Sequence, residues 1–210
     1  MIRSLRTSLI ASLALLAGTV AAWAHPHVWV TVKCEIVWAP DGRIAAVKHH
    51  WTFDEGYTSY AIQGLDTNRD GIYSRDELAE LAKVNTESLA ETGFFTVVKA
   101  DGKKQEFGAP ADYWLEHEKG QLTLNFTLPL KEPATARRTL ILDVYDPTFF
   151  VDFSYADGDD AVKLTGSPQN CAVQLSRPKK PDAKQVLTED YFANANMGFQ
   201  FASKVIVACP

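Results

Sequence analysis

An alternating apolar segment, followed by a turn and a second apolar segment, constrains the fold of this chain more than any other feature. Between residues 28 and 36 every second residue is apolar, the pattern of a β-strand with one buried face. Pro40-Asp41-Gly42 is a turn sequence, and residues 44–53 can form the return strand. The sequence therefore predicts a β-hairpin near the start of the folded region.

The turn also predicts the register of this hairpin. A two-residue loop at Asp41-Gly42 places apolar-face residues opposite one another and sets one acid against one base. The pairs are Ile36 with Val47, Cys34 with His49, Val32 with Trp51, Val30 with Phe53, and Glu35 with Lys48. A shift by one residue would reverse the two faces, so the pattern favours this register.

Short strand-like segments separated by Gly, Pro and Asp turns continue to the end of the chain. Helical periodicity interrupts them at residues 55–65 and 75–92, and residues 183–193 are a further candidate helix. The predicted fold is α+β but mainly β, an antiparallel sandwich or partly closed barrel. A single EF-hand helix-loop-helix is expected as an insert at about residues 55–92.

The first 24 residues have the pattern of a secretory signal peptide. Arg3 and Arg6 precede an apolar run over residues 9–20, and Ala22-Trp23-Ala24 is a cleavage sequence. The run is shorter than the roughly 20 residues that span a bilayer. We therefore expect cleavage after Ala24, a periplasmic location, no membrane span after cleavage, and one β-rich domain over residues 25–210. The net charge of −5 argues against nucleic-acid binding.

The predicted mature chain contains three cysteines, Cys34, Cys171 and Cys209. Disulfides are permitted in an oxidising compartment, and one cysteine must remain unpaired. Cys171 and Cys209 each adjoin a strand-like segment in the C-terminal quarter of the chain, so we predict a disulfide between them. Cys34 lies within a predicted strand and is expected to be a small buried apolar residue.

Residues 66–77 match the calcium-binding loop of EF-hands at every ligand position. Ca²⁺ prefers six to eight hard oxygen ligands, and Gly71 allows the sharp turn that the loop requires. The predicted ligands are Asp66, Asn68, Asp70, the carbonyl group of Ile72, Ser74 and Glu77. Regulatory EF-hands usually occur in pairs and one loop is visible here, so a structural calcium ion is favoured over a sensor.

Signal cleavage would leave His25-Pro26-His27 at the new N-terminus. Pro26 has no amide N–H to lose, so a chelate through backbone amides is blocked. The terminal amine, His25 and His27 remain, an arrangement similar to the histidine brace of copper proteins. Imidazole binds Zn²⁺, Ni²⁺, Co²⁺ and Cu²⁺, so the metal stays open, as does the alternative of a merely exposed polar terminus.

The hairpin register selects the partners available to His27. Asp54 follows the return strand opposite Trp29, on the face that carries His27, and is the best carboxylate candidate. His50 lies opposite Lys33, about 20 Å along the strand, too far to share the site. His49 faces the apolar side and is predicted to be a packed core histidine rather than a metal ligand.

Several segments together resemble one bacterial family, domain-of-unknown-function family one-thousand-and-seven. They are residues 25–30, 49–55, 64–71, 85–90 and 145–150, with the closing Cys209-Pro210. The resemblance covers nearly the whole mature chain. It implies a periplasmic component of an ABC-type transport system, often encoded near nickel/cobalt-type metal exporters, with an inner-membrane metal transporter as partner. Cys34 departs from the family's pattern.

No Ser-His-Asp arrangement, nucleophile elbow or phosphate-binding glycine loop is visible, so an enzyme is not expected. Asp146 and Asp152 flank an aromatic segment, where turn capping is favoured over a carboxylate site. The predicted function is a secreted periplasmic accessory protein of a metal-transport system, with a structural calcium site and an N-terminal transition-metal site. The alternatives are a calcium-dependent protein-interaction adaptor without transition metal, and a histidine-brace copper oxidase.

Overall fold

A computed structural model describes residues 26–178 and 197–209 of the chain. The predicted signal peptide, His25 and the candidate helix at 183–193 lie outside these residues. The strands are β1 (Val28–Trp38), β2 (Ile44–Phe53), β3 (Thr96–Ala100), β4 (Lys103–Lys104), β5 (Ala111–Glu118), β6 (Gln121–Ala134), β7 (Leu140–Val144), β8 (Val151–Tyr155), β9 (Val162–Thr165), β10 (Ala172–Ser176) and β11 (Lys204–Ala208). Two α-helices, α1 (Glu55–Ala61) and α2 (Arg75–Ser88), and two 3-10 helices, Leu89–Phe95 and Met197–Phe201, complete the described elements.

The predicted hairpin register is confirmed from Val30 to Val37, but it shifts by one residue at Trp38, which pairs with Ile44, so the predicted two-residue loop is wrong. β1 and β2 pair antiparallel with Val30 opposite Phe53, Cys34 opposite His49 and Ile36 opposite Val47. Glu35 lies opposite Lys48, as the charge pattern requires. The alternating residues of β1 are buried on one face and exposed or half-buried on the other. Local sequence therefore determines this part of the fold.

The strands form two sheets, and the molecule is mainly β, as predicted. The first sheet has the order β5-β6-β2-β1-β8, with β9 also paired to β1, and the second has the order β10-β11-β7-β3-β4. One core cluster contains buried residues of both sheets, such as Trp51 and Phe126 of the first and Leu142 and Val205 of the second. The two sheets do not close into a barrel, so that predicted alternative is wrong.

The prediction of an antiparallel fold is also wrong at one edge of the first sheet. β8 pairs parallel with residues 28–32 of β1, and β9 pairs parallel with residues 34–37 of the same strand. The chain leaves β7 in the second sheet before it enters β8 in the first. A crossover of this kind allows parallel pairing, which a tight hairpin does not.

The two α-helices have defined N-terminal caps. The Asp54 carboxylate accepts a hydrogen bond from Tyr57 N–H and caps α1, and Ser74 forms a capping box with Glu77 at the start of α2. Leu78 and Ala82 of α2 are buried one helical turn apart and join the core. Both helices are shorter than predicted, since α1 ends at Ala61 and the chain after Ser88 tightens into a 3-10 helix.

Candidate metal sites

The predicted calcium loop folds back on its own backbone. Asp66 Oδ1 accepts a hydrogen bond from Asp70 N–H at 3.1 Å, and Asp66 Oδ2 accepts one from Gly71 N–H at 3.0 Å. Asp70 Oδ1 accepts one from Ile72 N–H at 2.7 Å. Gly71 has φ of 78°, a left-handed conformation that glycine adopts without steric cost. The carboxylates at the first and fifth loop positions are thus held at the centre of a tight turn.

The last predicted ligand, Glu77, joins the loop to α2. Its Oε1 accepts hydrogen bonds from the backbone N–H and hydroxyl group of Thr67, at 2.8 and 2.9 Å. Its Oε2 accepts from the backbone N–H and hydroxyl group of Ser74, at 3.0 and 2.8 Å. Hydrogen bonds from Ser74, and then those from Thr67, lower the pKa of Glu77 to about 2. The exposed carboxylate is therefore charged at neutral pH and bonded at both ends of the loop.

The three carboxylates among these ligand candidates, Asp66, Asp70 and Glu77, are not grouped as a metal site in the structure. Across residues 26–178 and 197–209, no three His, Cys, Asp or Glu side chains are grouped so that they could hold a metal ion. In addition, α1 ends at Ala61, five positions before Asp66. The helix-loop-helix order is present, while its assignment as a calcium-binding EF-hand remains a prediction.

The loop and the start of α2 pack against β5. The ring of Tyr73 meets the ring of His117 edge-on, with centroids 4.9 Å apart. The Arg75 guanidinium lies 4.8 Å from the centre of the Trp114 ring and 3.9 Å from Glu116 Oε2. Such cation–π and charged contacts favour a fixed position. The loop is therefore attached to an edge strand of the first sheet.

The structure places His27 and Asp54 at the same end of the first sheet. His27 is exposed, its N–H donates to Phe150 carbonyl at 2.9 Å, and its ring lies against the Phe150 ring at 4.7 Å. Asp54 is adjacent to Trp29, as predicted, because Trp29 N–H donates to Asp54 Oδ2 at 2.9 Å. Asp54 Oδ1 accepts from Tyr57 N–H at 3.0 Å, so both carboxylate oxygens already hold backbone groups.

His49 is a packed core histidine, as predicted. It is 0% exposed, and its ring stacks on Phe126 at 4.8 Å. Trp51 Nε1–H donates to His49 Nδ1 at 3.2 Å. The Thr96 hydroxyl donates to Phe94 carbonyl and therefore accepts from His49 Nε2–H at 3.3 Å. Both ring nitrogens are satisfied in the neutral imidazole, and burial, with a smaller effect of His50, lowers its pKa to about 3.

Cys34 is buried beside Tyr155, whose hydroxyl oxygen lies 3.9 Å from Sγ. Burial raises the pKa of Cys34 to about 12, so the free thiol stays protonated at neutral pH. The other two cysteines form the predicted disulfide between Cys171 and Cys209. Sequence reasoning therefore assigned all three cysteines correctly.

The acidic residues around the aromatic segment have structural roles. Asp146 Oδ1 accepts from the N–H and hydroxyl group of Thr148, both at 2.8 Å, and Asp146 Oδ2 accepts from Val151 N–H at 3.0 Å. Asp152 is buried and accepts from the Ser154 hydroxyl group at 3.3 Å. Asp146 caps its turn, as the sequence favoured.

Sequence reasoning missed one polar network, which lies on the exposed face of the first sheet. His50 bonds through Nδ1 to Asn125 Oδ1, and Asn125 Nδ2 donates to Glu116 Oε1 at 3.2 Å. Trp114 Nε1–H donates to the same glutamate at 3.5 Å. Pairing of β2 with β6, and of β6 with β5, brings these residues together. Asn125 is a polar residue among the apolar residues of β6, and this was the one feature of the sequence that could have indicated the network.

Comparison with known proteins gives a family but no activity. A 193-residue alignment with an uncharacterized protein of Haemophilus influenzae is 24% identical and covers 89% of this chain and 91% of that protein. An uncharacterized 15.5 kDa protein in the trpE 3′ region of Spirochaeta aurantia is 31% identical over 117 residues, covering 55% of this chain and 84% of that protein. The profile of the family described as "Protein of unknown function (DUF1007)" matches residues 10–209, and the chain belongs to that family.

Proposed function

We propose that this chain is an exported periplasmic accessory protein of a metal-transport system, which binds Ca²⁺ in the loop at residues 66–77. A second, transition-metal site would lie at the mature N-terminus, and an inner-membrane metal transporter would be the partner. No helix in residues 26–178 or 197–209 is long and apolar enough to cross a membrane.

The loop geometry is the main support for calcium binding. Asp66, Asp70 and Gly71 already form the compact turn that a twelve-residue calcium loop requires, with oxygen ligands at the expected spacing. Glu77 would exchange its bonds to Thr67 and Ser74 for a bidentate contact with the ion. In this proposal Ca²⁺ supplies positive charge that draws these carboxylates together and fixes the loop against β5.

Calcium titration of the metal-free chain tests the proposal. We expect saturable heat on addition of Ca²⁺ and a rise in Tm with calcium concentration, because an ion that binds the folded state stabilises it. Glu77→Gln should weaken binding at least about tenfold while it keeps the capping box, since Gln also serves at that position. Asp76→Asn, which removes a neighbouring charge, is the control and should bind almost normally. The absence of calcium-dependent heat and stabilisation would refute the calcium site.

The transition-metal part of the proposal depends on an exposed imidazole at the end of β1. His27 is exposed and held in position by its backbone bond to Phe150. Asp54 lies at the same end of the first sheet, next to Trp29, and each of its oxygens retains a second lone pair after accepting one backbone hydrogen bond. His25, which would add its amine and imidazole, lies outside the described residues. Zn²⁺, Ni²⁺, Co²⁺ and Cu²⁺ all suit such a nitrogen-rich site.

Titration of the secreted, untagged chain with these four metals tests this site. We expect an intact mass that begins at His25, and loss of the tightest binding in His27→Ala. Asp54→Asn should weaken binding without loss of the helix cap, because Asn is as good an N-cap as Asp. His117→Ala removes a histidine elsewhere and should have no effect. Unchanged affinity in His27→Ala would remove the N-terminal site and leave the calcium proposal intact.

A calcium-dependent adaptor without transition metal is the second candidate. Asp54 favours this candidate, because its two carboxylate oxygens already accept hydrogen bonds from the backbone N–H groups of Trp29 and Tyr57 instead of facing a metal ion. In that case the metal titration would show only Ca²⁺ binding. A copper oxidase is the remaining alternative, and turnover of an oxidisable substrate by the copper-loaded chain would support it.

A further inference from the structure

The face of the first sheet that points away from the core carries an ordered array of hydrogen-bonding groups, which is exposed at Thr31 and Lys33 of β1 and half-buried or buried on the neighbouring strands. One cross-strand row contains hydroxyl residues, Ser154, Thr31, Thr52 and Thr123. The next row contains Lys33, His50, Asn125 and Trp114. Neighbouring groups lie about 4.8 Å apart across the strands and about 7 Å apart along them. The hydroxyl groups of Thr52 and Thr123 are in contact at 2.9 Å.

His50 is the one ring in this array whose orientation is fixed by a buried partner. Asn125 is 2% exposed, and its Nδ2 donates to Glu116 Oε1 and to Thr123 carbonyl, which only accept. Asn125 Oδ1 must therefore accept from His50 Nδ1–H, which leaves the Nε2 lone pair as an acceptor. No residue of the described chain donates to that nitrogen.

Charges of both signs lie close together on this face. Lys33 Nζ lies 2.6 Å from Asp160 Oδ2, and Arg75 lies 3.9 Å from Glu116 Oε2. Glu35 and Lys48 are cross-strand partners of opposite charge. A face on which opposite charges are neighbours complements an uncharged ligand rather than a nucleic acid or an acidic polymer.

An aromatic platform borders the hydroxyl row. Trp29 is 48% exposed and lies on the same face, one row beyond Thr31. An exposed indole offers a flat apolar surface, while the neighbouring rows offer donors and acceptors. A sugar ring combines these properties, because its C–H groups form an apolar face and its hydroxyl groups donate and accept around the edge.

We propose that this face of the first sheet binds a neutral oligosaccharide. The Trp29 ring stacks on one sugar ring, Thr31 and Thr52 exchange hydrogen bonds with its hydroxyl groups, and His50 Nε2 accepts a hydrogen bond from a further sugar hydroxyl. The proposal does not depend on metal binding, since none of these side chains belongs to the calcium loop or to the N-terminal site.

Titration of the full chain with neutral tetrasaccharides tests this site. Cellotetraose, maltotetraose and N-acetylchitotetraose are added separately, and binding is followed by calorimetry and by quenching of tryptophan fluorescence. We expect saturable binding of at least one of them. His50→Ala and Thr31→Val should each weaken it by up to about tenfold, the equivalent of one hydrogen bond. Trp29→Ala should weaken it further and abolish the fluorescence change.

Lys99→Ala, on the second sheet, is the matched control and should leave binding unchanged. Circular dichroism of each variant checks the fold, and His50→Gln gives a second check, because its amide oxygen can still accept the sugar hydroxyl. No binding of any of the three tetrasaccharides, or binding that His50→Ala and Trp29→Ala leave unaltered, would overturn the proposal. Binding of a protein at this face in place of a sugar would overturn it as well.

Discussion

At the scale of single residues, His49 shows how a polar group is accommodated in the core. It is fully buried between the sheets, and the neutral imidazole satisfies both Trp51 and Thr96. Protonation would give Nδ1 a hydrogen where it now accepts one, and would place a charge in an apolar environment. The lowered pKa of about 3 in the folded state follows mainly from burial.

This predicts a loss of stability at acidic pH. The unfolded chain binds a proton at His49 near the usual pKa of about 6.5, while the folded chain resists protonation until pH falls to about 3. The contribution of neutral His49 to the free energy of unfolding is therefore complete above pH 6.5, and it decreases as pH falls. At pH 5 the free energy of unfolding should be about 2 kcal/mol lower than at pH 8 from this residue alone. Urea unfolding of wild type and His49→Gln at both pH values measures the difference.

Gln is the suitable replacement at this position because its amide can accept from Trp51 and donate to Thr96 without titrating. The variant should therefore lose less stability than wild type between pH 8 and pH 5. An equal loss in the two proteins would contradict the assignment of this pH dependence to His49.

At the scale of elements, local sequence patterns predicted the features that depend on residues close together in the chain. The register of β1 with β2 from Val30 to Val37 followed from the alternation of residues 28–36 and the position of the turn, because both act over a few residues, whereas the shift at Trp38 did not follow. The parallel pairing of β8 and β9 with β1 did not follow, since alternation gives the face of a strand but not its neighbour or direction. The calcium motif is contiguous and was visible in sequence.

The same limit applies to the exposed-face network. His50, Glu116 and Asn125 come from three strands, and they meet only because β6 lies between β2 and β5. Their association depends on long-range pairing, for which the sequence offered no turn or motif. From sequence, the position of His50 follows only relative to the strand β1, where the hairpin register separates it from His27.

The 3-10 helix at Met197–Phe201 gives a prediction about docking of an element. A Cβ atom added to Gly198 would lie 1.6 Å from the carbonyl oxygen of Asp146, which no small adjustment can accommodate. Gly198 N–H also donates to Pro147 carbonyl at 3.1 Å. Gly198→Ala should reduce the free energy of unfolding by about 1–3 kcal/mol, as overpacking does. Chemical denaturation measures this.

Gly108→Ala is the matched control for this substitution. A Cβ at position 108 would meet Pro129 at 3.5 Å, an ordinary van der Waals distance. We expect a much smaller effect from this change. Equal stability of Gly198→Ala and wild type would show that the 3-10 helix does not dock against residues 146 and 147.

At the scale of the whole molecule, the disulfide joins the end of the chain to the edge of the second sheet. Cys171 and Cys209 lie next to the pair formed by Ala172 of β10 and Ala208 of β11. The residues of β10 are mostly exposed, and within the described chain this strand pairs with β11 alone. Few apolar contacts hold β10, so the covalent link has a large share in keeping the edge in place.

Removal of the disulfide should therefore destabilise the fold and loosen this edge first. For two cysteines 38 positions apart in sequence, restriction of the unfolded chain accounts for about 4 kcal/mol. The variant with both Cys171→Ala and Cys209→Ala should unfold at lower urea concentration and exchange the amide hydrogens of β10 faster than those of β7. Cys34→Ala keeps the disulfide and should leave exchange in β10 unchanged. If the double variant matched wild type in both measurements, the link would contribute nothing beyond the strand pairing itself.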